Sequence, residues 1–140
     1  MSKPTANCAA VLVDDNEVDL FLHEQLLRLA GSFSHIWTFP VAEAALDHLV
    51  SLYNTQGKAD YPIMILLDIK MPDMDGFQFV SRLQQLPDSL KNRCYVVMIS
   101  ATLQLSDSVR AEANPYIFRF LGKPLTAKVL REVAHEILNK

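Results

Sequence analysis

This 140-residue sequence has no long apolar run, no block of like charge and only two cysteines. No run approaches the roughly 20 apolar residues of a membrane-spanning helix, and the N-terminal run CAAVLV ends at Asp14 and Asp15, too soon for the apolar part of a secretory signal. Thirteen Lys and Arg residues oppose sixteen Asp and Glu residues, which gives a net charge of −3 without a block of like charge. We therefore expect a cytoplasmic protein that does not bind membranes or nucleic acids directly.

What is present is an ordinary globular composition, with 50% hydrophobic and 21% charged residues. The length suits one domain, and no internal repeat, low-complexity segment or linker interrupts it. We expect a single domain over residues 1–140, with a core of about 8–139 and no attached effector domain.

Short apolar segments alternate with helical patterns along the chain. The strands are predicted at 8–13, 35–39, 62–67, 94–99 and 117–121. The helices are predicted around 18–29, 41–50, 79–86, 103–113 and 129–137, with Gly31 closing the first and Thr126 capping the last. The connections 55–61 and 87–93 are polar and are interpreted as surface loops.

This alternation predicts a parallel sheet covered by helices on both faces, because near-continuous apolar strands such as IMILL are typical of doubly buried strands. The fold class is α/β, a doubly wound (βα)5 flavodoxin-like sandwich with strand order 2-1-3-4-5. In that order Cys8 and Cys94 lie on strands separated by a third, about 9.6 Å apart, which is beyond disulfide reach. Both are expected to be reduced. The four histidines lack metal-ligand spacing and are expected at the surface or at an edge.

Polar residues follow four of the five predicted strands. Asp14 and Asp15 follow the first, Asp68 the third and Ser100 the fourth, while Lys123 comes just after the fifth. The carboxyl ends of parallel strands share one edge of the sheet, and ligands bind there where the strand order reverses. We expect these side chains to form one site.

Three carboxylates at one edge repel each other unless a cation lies among them. Mg²⁺ suits such a site because it takes one or two carboxylates and shares its shell with water and a phosphate. With an ammonium and a hydroxyl beside it, Asp68 has the surroundings of a nucleophile that accepts a phosphoryl group.

The residues around this site resemble the receiver domain of two-component response regulators over nearly the whole chain. The matching segments are Asp14-Asp15, ILLDIKMPDMDGF at 65–77, Ser100-Ala101 and Lys123-Pro124. The resemblance implies that Asp68 is the phosphoacceptor, Asp15 a direct Mg²⁺ ligand and Asp14 its largely water-mediated support, and that the Lys70 backbone carbonyl is a further ligand.

The same resemblance implies roles for residues around the acceptor. Lys123 pairs with the acceptor and then with the phosphoryl group, and its bond to Pro124 is cis. Ser100 is the switch hydroxyl, Phe120 the aromatic residue that turns inward with it, and Ala101 leaves access to the phosphate. Gly76 is expected in a turn of positive φ.

The function implied is that of a stand-alone response regulator, not an enzyme acting on other molecules, which catalyses only its own phosphorylation and dephosphorylation. Its phosphoryl donor is a sensor histidine kinase or a histidine phosphotransfer protein, and its output passes by a conformational switch to a downstream protein target. The output surface is the fourth predicted helix, the fifth strand and the last helix, which also offers a homodimer contact. It carries Arg110, Arg119, Phe120 and Arg131.

Several alternatives stay open. One alternative is a phosphorelay intermediate, and another is a scaffold receiver that is not phosphorylated. A haloacid-dehalogenase-like phosphatase is disfavoured because Lys70 stands where that family has a second Asp, and a flavodoxin because the acidic 14–17 segment repels a cofactor phosphate. Taken singly, Asp14 or Asp15 would simply cap the first helix, and Asp75 with Gln78 would form a capping box.

Overall fold

A computed structural model of the chain describes residues 8–56, 61–101 and 104–140. Its centre is a five-stranded sheet in the order β2-β1-β3-β4-β5, in which every neighbouring pair is parallel. The strands are β1 Cys8–Val13, β2 Phe33–Phe39, β3 Ile63–Asp68, β4 Cys94–Ser100 and β5 Ile117–Gly122. The predicted fold class and strand order are confirmed.

Six helices surround the sheet in the described part of the chain. They are α1 Glu17–Ala30, α2 Ala42–Gln56, α3 Gly76–Leu83, α4 Asp88–Lys91, α5 Leu105–Glu112 and α6 Ala127–Leu138. The short helix α4 lies in the connection 87–93, where a polar surface loop was predicted. That prediction was wrong because Leu90, the one aliphatic side chain of the segment, is fully buried in the core. The helices predicted as fourth and fifth are therefore α5 and α6.

The helix ends follow from local side-chain chemistry. Asn16 caps α1 by accepting hydrogen bonds from the backbone of Val18 and Asp19, so neither Asp14 nor Asp15 is the cap. Gly31 closes the same helix with a φ of 75°, in the left-handed region that glycine tolerates. At α3, Asp75 and Gln78 form the predicted capping box.

The strands β1 and β3 are buried on both faces along their whole length. One face packs against α2, α3 and α4, and the other packs against α1 and α6. Each fully buried Leu, Ile or Phe side chain contributes about 1.5–3 kcal/mol relative to an exposed one. The two strands whose ends carry the acidic residues are therefore the most firmly held part of the sheet.

Gly76 begins α3 without positive φ, since Gly31 is the one such glycine within the described residues. The turn prediction for Gly76 was wrong. A Cβ at this position would lie 3.0 Å from the Ile69 Cα atom and 3.3 Å from the Asp68 carbonyl oxygen. The Gly76 N–H also donates to the Ile69 carbonyl at 2.8 Å. Glycine is favoured here because α3 starts against the end of β3, so that a Cβ would fit only if this backbone shifted slightly.

Cys8 and Cys94 are buried free thiols, as predicted. Burial raises the pKa of both thiols to about 12, which keeps them protonated and unreactive at neutral pH. Across the described ranges, every helix is too short or too polar to cross a membrane.

Candidate functional site

Strand register brings the polar residues to one edge of the sheet. Val13 of β1 pairs with Leu67 of β3, so Asp14 and Asp68 come next to each other where the strands end. Ser100 of β4 pairs with Gly122 of β5, and the Lys123 N–H donates to the Ser100 carbonyl at 2.9 Å. Four strands therefore deliver their terminal residues to the same place.

Three carboxylates form the centre of this edge. Asp14, Asp15 and Asp68 each present an oxygen atom such that all three atoms lie within 4.8 Å of one another. Asp14 and Asp68 are buried, whereas Asp15 is exposed. Asp14 also accepts a hydrogen bond from the Asn16 N–H at 2.9 Å, which orients its carboxylate.

Lys123 reaches across from the end of β5 and contacts three carboxylates. Its Nζ atom lies 2.8 Å from Asp19, 3.4 Å from Asp14 and 3.9 Å from Asp68. Sequence reasoning missed Asp19. The residue lies in the first turn of α1, one helical turn after Asp15, and this spacing was the available signal.

The surroundings of Asp68 disfavour its ionised form. Burial raises the pKa of Asp68 to about 6, and the neighbouring Asp14 charge adds to the shift. The Lys123 charge and the Lys70 N–H, which lies 3.4 Å from Asp68 Oδ1, act in the opposite direction. For Lys123, burial lowers the pKa of the ammonium, but the hydrogen bond to Asp19 and the nearby acids outweigh burial, so the net shift is upward.

A pocket of about 480 Å³ opens over Asp68. Its wall includes Asp15, Lys70, Ser100 and Ala101. Ser100 is buried, and Ala101 is exposed beside it. The bond between Lys123 and Pro124 is cis, as the resemblance implied.

Phe120 lies outside this pocket, on β5 opposite Met98. It is half-buried and packs on the core cluster that contains Ala111 of α5. A second cavity of about 410 Å³ lies beside it and is also lined by Arg119 and Glu112.

The histidines differ from the prediction in one case. His35 and His135 are exposed and His48 is half-buried against the edge strand β2, but His23 is buried, with 3% of its surface exposed. Burial lowers the pKa of His23, and the Lys123 charge lowers it further. The prediction for His23 was wrong because α1 turns that face toward the sheet.

The donor set of the acidic cluster suits a hard divalent cation. All three side chains offer carboxylate oxygens, the ligand type that Mg²⁺ prefers, and their mutual repulsion is what a cation relieves. The residues present therefore fit the ion.

A doubly wound parallel sheet with an acidic pocket at its switch point defines the class of protein as a flavodoxin-like domain with a candidate cation site. The sequence model of the response regulator receiver domain matches residues 10–135. The chain belongs to the family of response regulator receiver domains of two-component systems.

Individual relatives agree with this assignment. A receiver protein of known crystal structure from Dyadobacter fermentans is 40% identical, with a TM-score of 0.80 and coverage of 93% of this chain and 97% of that one. A response regulator from Cytophaga hutchinsonii has a TM-score of 0.85 at 26% identity, over 97% and 100% of the two chains. The "Probable methanogenesis regulatory protein FilR2" of Methanothrix harundinacea is 28% identical over 91% of this chain and 79% of its own length.

Proposed function

We propose that this chain accepts a phosphoryl group on Asp68 from a phosphohistidine of a sensor histidine kinase or a histidine phosphotransfer protein, in a Mg²⁺-dependent reaction. The observation that carries the proposal is the convergence of Asp14, Asp15, Asp68 and Lys123 in one side-chain cluster. Asp68 has a pKa of about 6, so most of its carboxylate is ionised and nucleophilic at neutral pH.

In the proposed reaction an Asp68 carboxylate oxygen attacks phosphorus, and the bond from phosphorus to the histidine nitrogen breaks. The nitrogen keeps the electron pair of that bond, and the product is an acyl phosphate. Lys123 lies close enough to neutralise charge on the transferred group, and Ser100 and Ala101 line the space that it enters.

Asp15 and Asp68 would hold the magnesium ion, with the Lys70 backbone carbonyl as a third ligand and Asp14 as a water-mediated support. When bound, the ion supplies positive charge to the phosphoryl oxygens and relieves the repulsion among the carboxylates.

A protein donor is supported by the surface next to the pocket. Helix α1, whose first turn carries Asp19, also exposes apolar side chains to solvent: Val18, Phe21, Leu22 and Leu29 are 75%, 65%, 47% and 70% exposed. Adjacent exposed apolar residues favour a protein contact. A donor protein seated on α1 brings its phosphohistidine to the edge at which Asp68 lies.

The test is labelling with acetyl phosphate or a cognate kinase in the presence of Mg²⁺. The wild-type chain is expected to form one acid-stable, hydroxylamine-sensitive acyl phosphate, and Asp68→Asn is expected to abolish it. Asp73→Asn is the matched control because Asp73 is an exposed acid in the same β3–α3 connection. Equal labelling of wild type and Asp68→Asn would refute the proposal that Asp68 is the phosphoacceptor. No labelling of the wild type by any donor would favour the scaffold alternative.

For the output we propose a switch in which Ser100 moves toward the phosphoryl group and Phe120 turns inward, changing the surface of α5, β5 and α6. The half-buried position of Phe120 beside a cavity supports this, because the ring has space to change its packing. A downstream protein target or a second copy of the chain would then recognise that surface.

The output is tested by amide exchange over residues 104–121 and by light scattering, each with and without beryllofluoride. Changed exchange with a constant mass favours a separate protein target, whereas a doubled mass favours the homodimer. No change in either measurement would count against the switch. Onward transfer of the phosphoryl group to a phosphotransfer protein would favour the relay intermediate. That the chain is a single domain without an effector domain stays a prediction.

A further inference from the structure

The ammonium of Lys123 is held mainly by Asp19, a residue outside the expected set of site residues. The Lys123 Nζ atom donates to Asp19 Oδ2 at 2.8 Å, a short charge-assisted hydrogen bond. Its distance of 3.9 Å to Asp68 is too long for a hydrogen bond. In the unphosphorylated chain Lys123 is therefore hydrogen-bonded to α1, whereas it lies near Asp68 without a hydrogen bond to it.

The setting of this pair makes it stronger than a surface ion pair. The Lys123 and Asp19 side chains are 14% and 31% exposed, and the residues come from β5 and α1, 104 positions apart in the chain. Asp14, which is 2% exposed, lies on the same ammonium at 3.4 Å. Partial desolvation of this kind raises the contribution of an ion pair above that of an exposed one.

A phosphoryl group on Asp68 would compete with Asp19 for the ammonium. Lys123 has three N–H donors, and two already face Asp19 and Asp14. Asp19 also lines the pocket over Asp68, so its negative charge faces the space that the phosphoryl group enters. Both effects favour the unphosphorylated state.

We infer that Asp19 is a positioning residue that restrains Lys123 away from the acceptor and so lowers the affinity of the pocket for a phosphoryl group. The inference rests on the proposed phosphoacceptor function. It assigns to α1 a part in setting the balance between the two states, beyond its contact with a donor.

The experiment measures the affinity for beryllofluoride at saturating Mg²⁺ by calorimetry. Asp19→Asn removes the competing charge, and we expect it to bind beryllofluoride about fivefold more tightly than wild type. Asp19→Glu retains the carboxylate and is expected to stay within about twofold of wild type. Glu17→Gln is the matched control, because Glu17 is an exposed acid in the same turn of α1, and its affinity is expected to equal that of wild type.

A double-mutant cycle separates restraint of the lysine from a general charge effect. In a Lys123→Gln background, Asp19→Asn is expected to raise the affinity clearly less than it does with Lys123 present, since only the direct charge effect of Asp19 remains and there is no ammonium to release. A second measurement needs no phosphoryl mimic: the Lys123 ammonium protons are expected to be protected from solvent exchange in wild type and to lose that protection in Asp19→Asn, as seen by nitrogen-resolved NMR.

The outcomes are distinguishable. An unchanged or weaker affinity in Asp19→Asn, with wild type binding normally, overturns the inference and leaves the acceptor function intact. An equal gain in Asp19→Asn with and without Lys123 also overturns it, because the gain is then a field effect. A wild-type chain that does not bind beryllofluoride refutes the acceptor function, and the NMR comparison still decides whether Asp19 holds Lys123.

Discussion

At the amino end of the sheet the buried charge of Arg93 lies against neutral partners, whereas at the carboxyl end Asp14 and Asp68 are held against each other. Arg93 is 8% exposed, donates from Nε to the Tyr61 carbonyl at 3.1 Å and places its guanidinium 4.7 Å from the Tyr61 ring centroid. These contacts offset part of the cost of burying the guanidinium, although its Nη2 atom is buried without a hydrogen-bond partner in the described part of the chain.

At the carboxyl end of the sheet the contacts between buried charges are repulsive. Burial and the Asp14 charge raise the pKa of Asp68, which means that the ionised form of Asp68 is disfavoured in the folded chain. At the amino end the buried charge is held by attractive contacts, whereas the carboxyl end stores a repulsion between carboxylates that a cation relieves. The comparison teaches that mutations at the two ends should change stability with opposite signs.

The largest expected effect is at the amino end. Leu90→Ala removes a fully buried side chain from α4 and is expected to lower the free energy of unfolding by about 2–5 kcal/mol. Labelling of Asp68 should persist below the unfolding transition. Urea denaturation measures the change, and Ser89→Ala, an exposed neighbour in α4, is the control. A loss of less than about 0.5 kcal/mol would show that α4 does not anchor this end.

At the carboxyl end, Asp68→Asn is expected to raise the free energy of unfolding by about 1 kcal/mol at pH 7.5 in EDTA. The amide keeps the shape of the side chain and removes a charge that burial and Asp14 disfavour. Added Mg²⁺ should stabilise wild type more than the variant and so narrow the difference. Asp73→Asn should match wild type in both buffers. If Asp68→Asn were less stable than wild type in EDTA, the proposed repulsion between Asp14 and Asp68 would be refuted.

A smaller effect is expected on the pH dependence of stability without metal. The folded pKa of Asp68, about 6, lies above its ordinary value of 3.8, so the folded chain binds this proton more tightly than the unfolded chain. The Asp68 contribution to stability is therefore greatest below about pH 4 and is lost as pH rises through about 6. Subtracting the Asp68→Asn profile from that of wild type, by denaturation between pH 4 and 8, should leave this downward slope. A difference between the two profiles that does not change with pH would contradict the raised pKa of Asp68.

Much of the candidate site was predictable from the order of residues. Asp14, Asp68 and Ser100 each follow an apolar strand, so their convergence needed only the sheet order. Lys123 was predicted near Asp68, but its shortest contact is with Asp19. That contact depends on where the first turn of α1 lies relative to the residues that follow β5, which no local pattern describes.

Packing decided the remaining differences. Leu90 stands alone among polar residues, so its segment has no periodicity to indicate a buried turn. Gly76 was expected to need an unusual φ, yet what favours glycine there is the close approach of α3 to Ile69. His23 is one polar residue on an otherwise mixed helix, and only the contact of α1 with the sheet places it inside.

The sequence by itself determined the alternation of strands and helices, the parallel sheet and the gathering of acids at one edge, because parallel strands end on the same side and apolar runs must be buried. The tertiary structure alone decided which carboxylate holds the Lys123 ammonium and which small residues permit close contact. Those outcomes depend on distances of a few ångströms between elements far apart in the chain, and such distances are set by packing rather than by local residue preference.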